Sequence, residues 1–418
     1  MKNIESRKKK ILLCTGSFKT GKGGVASYAH DFIYAFPQYK FGVVTQDDYQ
    51  KKSEDNFPIY HINMEDWSIG NALLFLELIE KFEPCIIINS YCKLLALITP
   101  YIDNNIKIIS VSHFTDGGYA WAAGMNGEYA DNLIALSKYA KAYLERVFKI
   151  KDKNKTHVVY NYMPSLPNID IMAKKNANIL KIIYPGGHSW QKSAEIVANV
   201  VQKLCKTSLP FEFYWIGNID LPGRKWPFAK TKTIKDCLPM NDSRIKYVGR
   251  VERNISTELI ANSNVFLLPS RGEGCPITLL EAMRAGCIPV ISDARHGSFD
   301  IVENAKTGFV VKQNSVKDLF LRLKDVINNH SLYLKIYEET INEFEQKLEY
   351  KCWKSKMDII LESPLNHSQR KAFNEKQYKA DVRYLKMLYC FDYIRDRFIR
   401  QLYHVIYFRY LHLKIHLF

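Results

Sequence analysis

Short apolar runs, each bounded by turn residues, alternate along the chain with longer stretches in which apolar side chains return every third or fourth position. The runs at 11–15 (Ile-Leu-Leu-Cys-Thr), 41–45 (Phe-Gly-Val-Val-Thr), 85–89 (Cys-Ile-Ile-Ile-Asn), 107–112 (Lys-Ile-Ile-Ser-Val-Ser), 133–137 (Leu-Ile-Ala-Leu-Ser) and 157–160 (His-Val-Val-Tyr) read as strands. Near-continuous apolar runs suit a parallel sheet with helices on both faces. Helical spacing fills the gaps: 25–36 through Val25, Tyr28, Ala29, Phe32, Ile33 and Phe36, then 71–82 and 138–148. The pattern restarts at 180–184, with further strand-like runs at 211–217, 244–251, 265–268 and 288–291. Helical spacing follows at 195–204, 256–261, 318–328, 332–344 and 350–361. Such alternation predicts an α/β chain built on doubly wound parallel sheets.

One stretch of the second half carries chemistry. After the strand at 265–268 comes a turn of small and charged residues at 269–274; Pro276 then stands where a helix's first turn accepts proline without losing a hydrogen bond. The helix is expected to run to about Ala285 and stop at Gly286, before the next parallel strand at 288–291. Glu273 therefore lies on the loop at a strand's carboxyl end and Glu281 inside the following helix. The helix start offers free backbone N–H groups and a positive dipole end beside both acids, where an open parallel sheet binds an anionic ligand. The full run, Pro-Ser-Arg-Gly-Glu-Gly-Cys-Pro-Ile-Thr-Leu-Leu-Glu-Ala-Met-Arg-Ala-Gly-Cys-Ile-Pro-Val from Pro269 to Val290, resembles the paired-glutamate motif of the retaining, family 4 type glycosyltransferases with the GT-B fold (glycosyl transferases group 1).

Three other stretches extend the resemblance. The loop Gly-Ser-Phe-Lys-Thr-Gly-Lys-Gly-Gly from Gly16 to Gly24 nearly spells a P-loop, but Gly23 stands where that motif needs a hydroxyl for magnesium. Its place after the first strand is similar to the family's Gly-Gly loop, so Gly23 and Gly24 are expected to let backbone approach a phosphate or sugar. His113 ends the strand at 107–112; in the family a histidine there contacts the donor sugar. Asp116 and Gly117 beside it are left without a role. The turn Pro-Gly-Gly-His-Ser-Trp-Gln-Lys from Pro185 to Lys192 matches the family's diphosphate-binding turn at Lys192, but Gly187 replaces the usual arginine. His188, Arg250 and Arg271 are candidates for the lost charge.

What the resemblance implies is a GT-B enzyme that moves a sugar from a nucleoside diphosphate sugar, such as a UDP- or GDP-sugar, to a glycan or lipid-linked acceptor with retention. Catalytic roles fall to Glu273, His113 and Lys192. Donor binding falls to Gly23, Gly24, Lys192, the backbone at Arg250 and Val251, the segment Gly274, Cys275, Pro276, Ile277 and Thr278, and Glu281 on the ribose. No metal or other cofactor is expected, in keeping with a chain that lacks Asp-x-Asp. Bacterial surface polysaccharide synthesis (lipopolysaccharide, O-antigen or capsule) is the setting the family suggests. The rival readings are a nucleotide-sugar epimerase of the same fold and a non-catalytic nucleotide-sugar-binding subunit, the latter favoured by Gly187.

Length and composition set the domains. The 418 residues divide into a Rossmann-like acceptor-side domain at 1–165, a nucleotide-sugar domain at 178–348, a crossover helix at 349–365 and a basic, aromatic extension at 366–418, with a proline-containing connection between the first two. The nine cysteines are scattered without metal-ligand spacing and read as core residues of a reducing compartment. No apolar run is long enough to span a membrane, and the basic start leads into too short a run for a secretory signal, so a cytoplasmic protein is expected. The formal net charge of +16 calls for polyanionic partners. No nucleic-acid recognition module accompanies it. Nucleotide-sugar phosphates account for part of the charge. The extension suits either an anionic membrane surface, on the cytoplasmic face of an inner membrane, or packing on the core or a second subunit.

Overall fold

The computed structural model describes residues 9–19, 23–114, 117–166, 169–220, 233–294 and 297–394. The apolar runs become two all-parallel sheets. In the first, β1 (Lys10–Thr15), β2 (Lys40–Thr45), β3 (Ile59–His61), β4 (Ile86–Ser90), β5 (Lys107–Ser112), β6 (Asn132–Ala135) and β7 (Thr156–Val158) lie in the order β3-β2-β1-β4-β5-β6-β7. In the second, β8 (Leu180–Tyr184), β9 (Phe211–Ile216), β10 (Ile245–Gly249), β11 (Val265–Leu268), β12 (Ile288–Ser292) and β13 (Phe309–Val311) lie in the order β10-β9-β8-β11-β12-β13. β4, β5, β11 and β12 are buried along their whole length, as strands sandwiched between helix layers must be.

Each order reverses once, between β1 and β4 in the first sheet and between β8 and β11 in the second. The loops leaving these strands diverge to opposite faces and open a crevice at the carboxyl edge. The Gly16–Gly24 loop follows β1 and His113 follows β5; the Lys192 turn follows β8 and the Glu273 loop follows β11. Two doubly wound domains therefore meet, as expected.

β3 and β13 were not expected. Each has three residues, lies at a sheet edge and pairs on one side, which leaves no long apolar run to read. Nor were the helices Lys93–Ile98, Gly117–Gly124, Ile171–Lys175 and Gly297–Ile301, all too short to show a helical period. The helix Ile171–Lys175 shifts a boundary. The Asp170 side chain caps it by accepting from Ala173 N, and buried Lys174 donates from Nζ to Ser263 O at 2.5 Å. The end of the predicted connection thus packs on the second domain.

The helix Tyr350–Glu362 packs on the first domain. Trp353 packs among Phe32, Phe36 and Tyr162. Lys107, buried at the start of β5, caps its end: Nζ donates to Leu361 O at 2.8 Å, a cation against the negative end of the helix dipole. The extension then continues along the same domain instead of standing apart. Arg370 is buried and donates to the carbonyls of Asp103, Ile106 and Tyr129 and to Asp131 Oδ2 at 3.1 Å. On the helix Glu375–Ile394, Tyr378 and Val382 join the core around Leu94 and Leu97. Of the two readings of the extension, packing on the core holds for its described part. Residues 395–418 and the basic start 1–8 lie outside the described residues. No described helix is long and apolar enough to cross a membrane.

Candidate functional site

The turn after β8 is wound over Tyr184, whose hydroxyl donates to Lys192 O at 3.0 Å. Gly187 takes φ +53, and a Cβ on Gly217 opposite would stand 2.6 Å from its Cα, so the two loop backbones touch. Lys192 leaves this turn toward the loop after β11, and its Nζ lies 2.5 Å from Glu273 Oε1. Glu273 is buried; Lys192 is half-buried.

Below Glu273 the helix Ile277–Arg284 begins. Pro276 is the residue just before it, with ψ 120, one position earlier than predicted. Among the described residues no side chain caps this end, so the first N–H groups, Ile277 and Thr278 included, point along the axis without intrahelical partners. Gly286 ends the helix as read, at φ +67, and a Cβ there would meet Ile171 at 2.6 Å. Glu281 is buried one turn in. Its Oε1 accepts from Thr257 Oγ1 at 3.1 Å and faces Arg253 Nε at 3.5 Å. It lines a cavity of about 760 Å³ between the domains, with Arg253, Arg284, Asp31, Tyr162 and Tyr350.

The first domain brings His113 against this loop. A Cβ on Gly274 would stand 1.9 Å from His113 O, and one on Gly272 would stand 3.0 Å from the Phe114 ring. Asn161 Nδ2 donates to Cys275 O at 2.7 Å, so both sides are pinned. His113 Nε2 lies 2.7 Å from Ser90 Oγ, and the ring meets Tyr28 edge-on at 4.9 Å. Burial lowers its pKa to about 4, so the imidazole is neutral near pH 7. Gly23, at φ +107, precedes the helix Gly24–Ala35, and a Cβ on either glycine would meet nothing within 4 Å. Among the described residues that helix start is open. Thr20, Gly21, Lys22 and Asp116 lie outside the described residues.

The structure thus joins Glu273, Lys192, Gly274, Cys275 and His113, with Pro276, Ile277, Thr278 and Glu281 on the same unit. Arg250 and Val251 follow β10, the strand at one edge of the sheet; Arg250 is exposed and Val251 half-buried, and neither lines the cavity beside Glu281. The cation paired with Glu281 is Arg253. Sequence reasoning missed it because it began that helix at 256, whereas the helix spans Arg253–Ala261. Arg271, a candidate phosphate cation, is turned inward onto Trp190 and Glu195.

Asp47 was also missed. At the end of β2 it holds the glycine-rich loop, accepting at Oδ2 from Ser17 Oγ and from the backbone N–H groups of Phe18 and Lys19. Burial pushes its pKa up, but these donors outweigh it and hold the carboxyl below its usual range. A Thr-x-Asp at a strand's carboxyl end, Thr45 to Asp47, was the signal available.

A relative from Haemophilus influenzae, described as an uncharacterized glycosyltransferase, is 26% identical over 211 residues, half of this chain; the chain spans 55% of that relative's length. Among solved structures, the lipopolysaccharide outer core galactosyltransferase WaaB superposes with a TM-score of 0.64 at 18% identity, covering 84% of this chain and 99% of WaaB. Anabaena Alr3699/HepE in complex with UDP-glucose does so with a TM-score of 0.64 at 15% identity, covering 85% of this chain and all of HepE. These likenesses establish the two-domain GT-B fold. Residues 173–343, the segment that carries Lys192, Glu273 and Glu281, match the family model described as Glycosyl transferases group 1.

Proposed function

We propose that this chain moves a glycosyl group from a nucleoside diphosphate sugar to a saccharide or lipid-linked acceptor, with retention of anomeric configuration and without a metal. The observation that carries this reading is the meeting of Lys192 and Glu273 above the uncapped start of the helix that holds Glu281, with His113 of the other domain in contact. A cation and free N–H groups beside two carboxylates fit a ligand with a diphosphate at its centre and hydroxyl-rich groups at both ends.

In this reading the diphosphate lies at the N–H groups of Ile277 and Thr278 and takes Lys192 as counter-ion. The acceptor oxygen approaches the anomeric carbon on the face that the diphosphate leaves. The bond from that carbon to the phosphate oxygen breaks with its electron pair on the phosphate, and the acceptor's proton passes to that oxygen. Negative charge grows on the phosphate, where fixed N–H dipoles and Lys192 oppose it without reorganising. Glu273 positions the donor sugar and supports its positive charge, and Glu281 takes the ribose hydroxyls. His113, held neutral, serves as a hydrogen-bonding partner and not as a cation.

HepE was solved with UDP-glucose and WaaB is described as a lipopolysaccharide enzyme, which supports a nucleotide-sugar donor and a surface-glycan acceptor here. The same proposal places the protein at the cytoplasmic face of a membrane, with the basic residues of 395–418 toward anionic lipid. The test is thermal stabilisation across UDP-, GDP-, ADP-, CMP- and dTDP-sugars without metal, followed by transfer to saccharide acceptors with the anomer read by NMR. One stabilising donor that is consumed with retention is the expected result. A donor converted to another nucleotide sugar without an acceptor gives the epimerase reading. Binding without turnover gives the silent subunit.

A further inference from the structure

The turn bearing Lys192 and the loop bearing Glu273 leave neighbouring strands, β8 and β11, and their side chains must converge for the pair to form. A second clasp lies beside that pair, two residues earlier on each loop. The Arg271 guanidinium stacks over the Trp190 ring at 4.5 Å, its Nη1 donates to Trp190 O, and its Nη2 pairs with Glu195 at the start of the next helix. The backbones are tied as well: Arg271 N donates to Gln191 O at 2.8 Å, and Gln191 Nε2 to Gly272 O at 2.8 Å. Gln313 Nε2 holds Arg271 O from a third loop at 3.0 Å.

Gly187 leaves this turn one cation short of the pattern its sequence resembles, which makes Arg271 a natural substitute. The geometry argues otherwise. Its side chain is 13% exposed, its fork is engaged on Trp190 and Glu195, and its face is covered by the indole. A guanidinium so held is already satisfied; its planar fork and stacking face fix geometry in a way an ammonium cannot reproduce.

We infer that Arg271 is a positioning residue: through Trp190, Gln191 and Glu195 it holds the Lys192 turn against the Glu273 loop, setting the reach of Lys192 to the diphosphate. This rests on the proposed glycosyl transfer. Glu195 is 40% exposed, so the ion pair alone is a weak tie, and the stack and main-chain bonds do most of the holding.

The experiment compares the full chain with Arg271→Ala, Arg271→Lys, Glu195→Gln, Lys192→Ala and the double variant Arg271→Ala/Lys192→Ala, reading kcat, donor KM and melting temperature. A misplacement of about 1 Å can cost roughly 100-fold in rate. The expected result is a kcat loss of that order for Arg271→Ala at nearly constant donor KM, with Arg271→Lys little better than alanine and Glu195→Gln lower in the same direction. In the cycle, Lys192→Ala costs far less once Arg271 is gone. A phosphate role predicts the reverse: donor KM rises in Arg271→Ala, lysine restores it, and the two losses add; that outcome overturns the inference. If Arg271→Ala does not fold, an Arg271→Lys chain with unchanged kcat overturns it equally, since an ammonium keeps the charge but not the stack on Trp190. A wild-type chain that neither binds nor consumes any nucleotide sugar fails at the proposed function itself, and the inference falls with it.

Discussion

Lys192 Nζ lies 2.5 Å from Glu273 Oε1, although the two residues come from different loops of the second domain. Both loops leave the switch point of the sheet, β8 on one side and β11 on the other, so the pair marks the place where anionic ligands enter folds of this kind. Lysine near the start of a helix is unfavourable against the dipole until an anion joins it. Glu273 stands in for that anion, and a donor's diphosphate would take over Lys192 and leave Glu273 to the sugar.

Glu273→Gln separates chemistry from binding. The amide keeps the shape of the carboxylate but loses the charge that supports a positive sugar ring, while Lys192 stays available to the diphosphate. Turnover should fall roughly 100- to 1,000-fold with the donor's dissociation constant nearly unchanged. Steady-state kinetics beside calorimetry decides it; unaltered turnover removes Glu273 from the reaction.

Glu281→Ala should do the opposite. The carboxylate is buried and accepts from Thr257, so its loss leaves that hydroxyl and Arg253 without their acceptor and takes a partner from the ribose. A hydrogen bond to a charged group contributes about 1.5–3 kcal/mol, or roughly 10- to 100-fold in donor affinity. An unweakened donor in calorimetry assigns the ribose elsewhere.

The two sheets and the Glu273–Glu281 unit were legible because each rests on a local rule. Continuous apolar runs mark buried strands, and a proline and a glycine bracket the helix between them. Arg253 was not, because one extra helical turn at 253–255 has no apolar residue in its first two positions to announce it. The orientation of Arg271 is a tertiary fact: Trp190 and Glu195 lie about 80 residues away in sequence, and nothing local distinguishes a guanidinium stacked on indole from one awaiting phosphate. The fate of the extension turned on Asp131, a buried acid in the first domain whose partner, Arg370, is supplied from the far end of the chain.

His113 makes stability depend on pH. Burial lowers its pKa from 6.5 to about 4, and its ring faces the Ser90 hydroxyl and the Tyr28 phenol, neither charged near neutrality. Between those values the unfolded chain binds the proton and the folded chain does not. The stability of the neutral ring is therefore complete above pH 6.5 and is lost as the pH falls toward 4, by roughly 3 kcal/mol at most. Burial also lowers the pKa of His157 and His330, so the wild type carries other slopes in this range. Urea unfolding at pH 7.5 and 5 should show a smaller pH difference for His113→Gln than for the wild type. Equal differences mean the ring is not held neutral.

The C-terminal segment has two parts with different expected effects. Arg370 and Asp131 have side chains 0% exposed, and Asp131 Oδ2 also accepts from Ile108 N at 2.7 Å. Removing one partner of a buried pair leaves an uncompensated charge and costs about 3–5 kcal/mol. Arg370→Ala should lose stability of that order, and a chain ending at 365 more, because Tyr378 and Val382 leave the core as well. A membrane test by deleting 366–418 would therefore confuse binding with unfolding. A chain ending at 394 keeps every one of these contacts and the stability they supply. Under the proposed membrane role it should no longer sediment with vesicles of anionic phospholipid, while the full chain sediments with them and not with zwitterionic vesicles. Sedimentation equal to that of the full chain places the membrane contact within residues 1–394, where the exposed cations Lys376, Lys379, Arg383 and Lys386 of the docked helix are the next to exchange for glutamine.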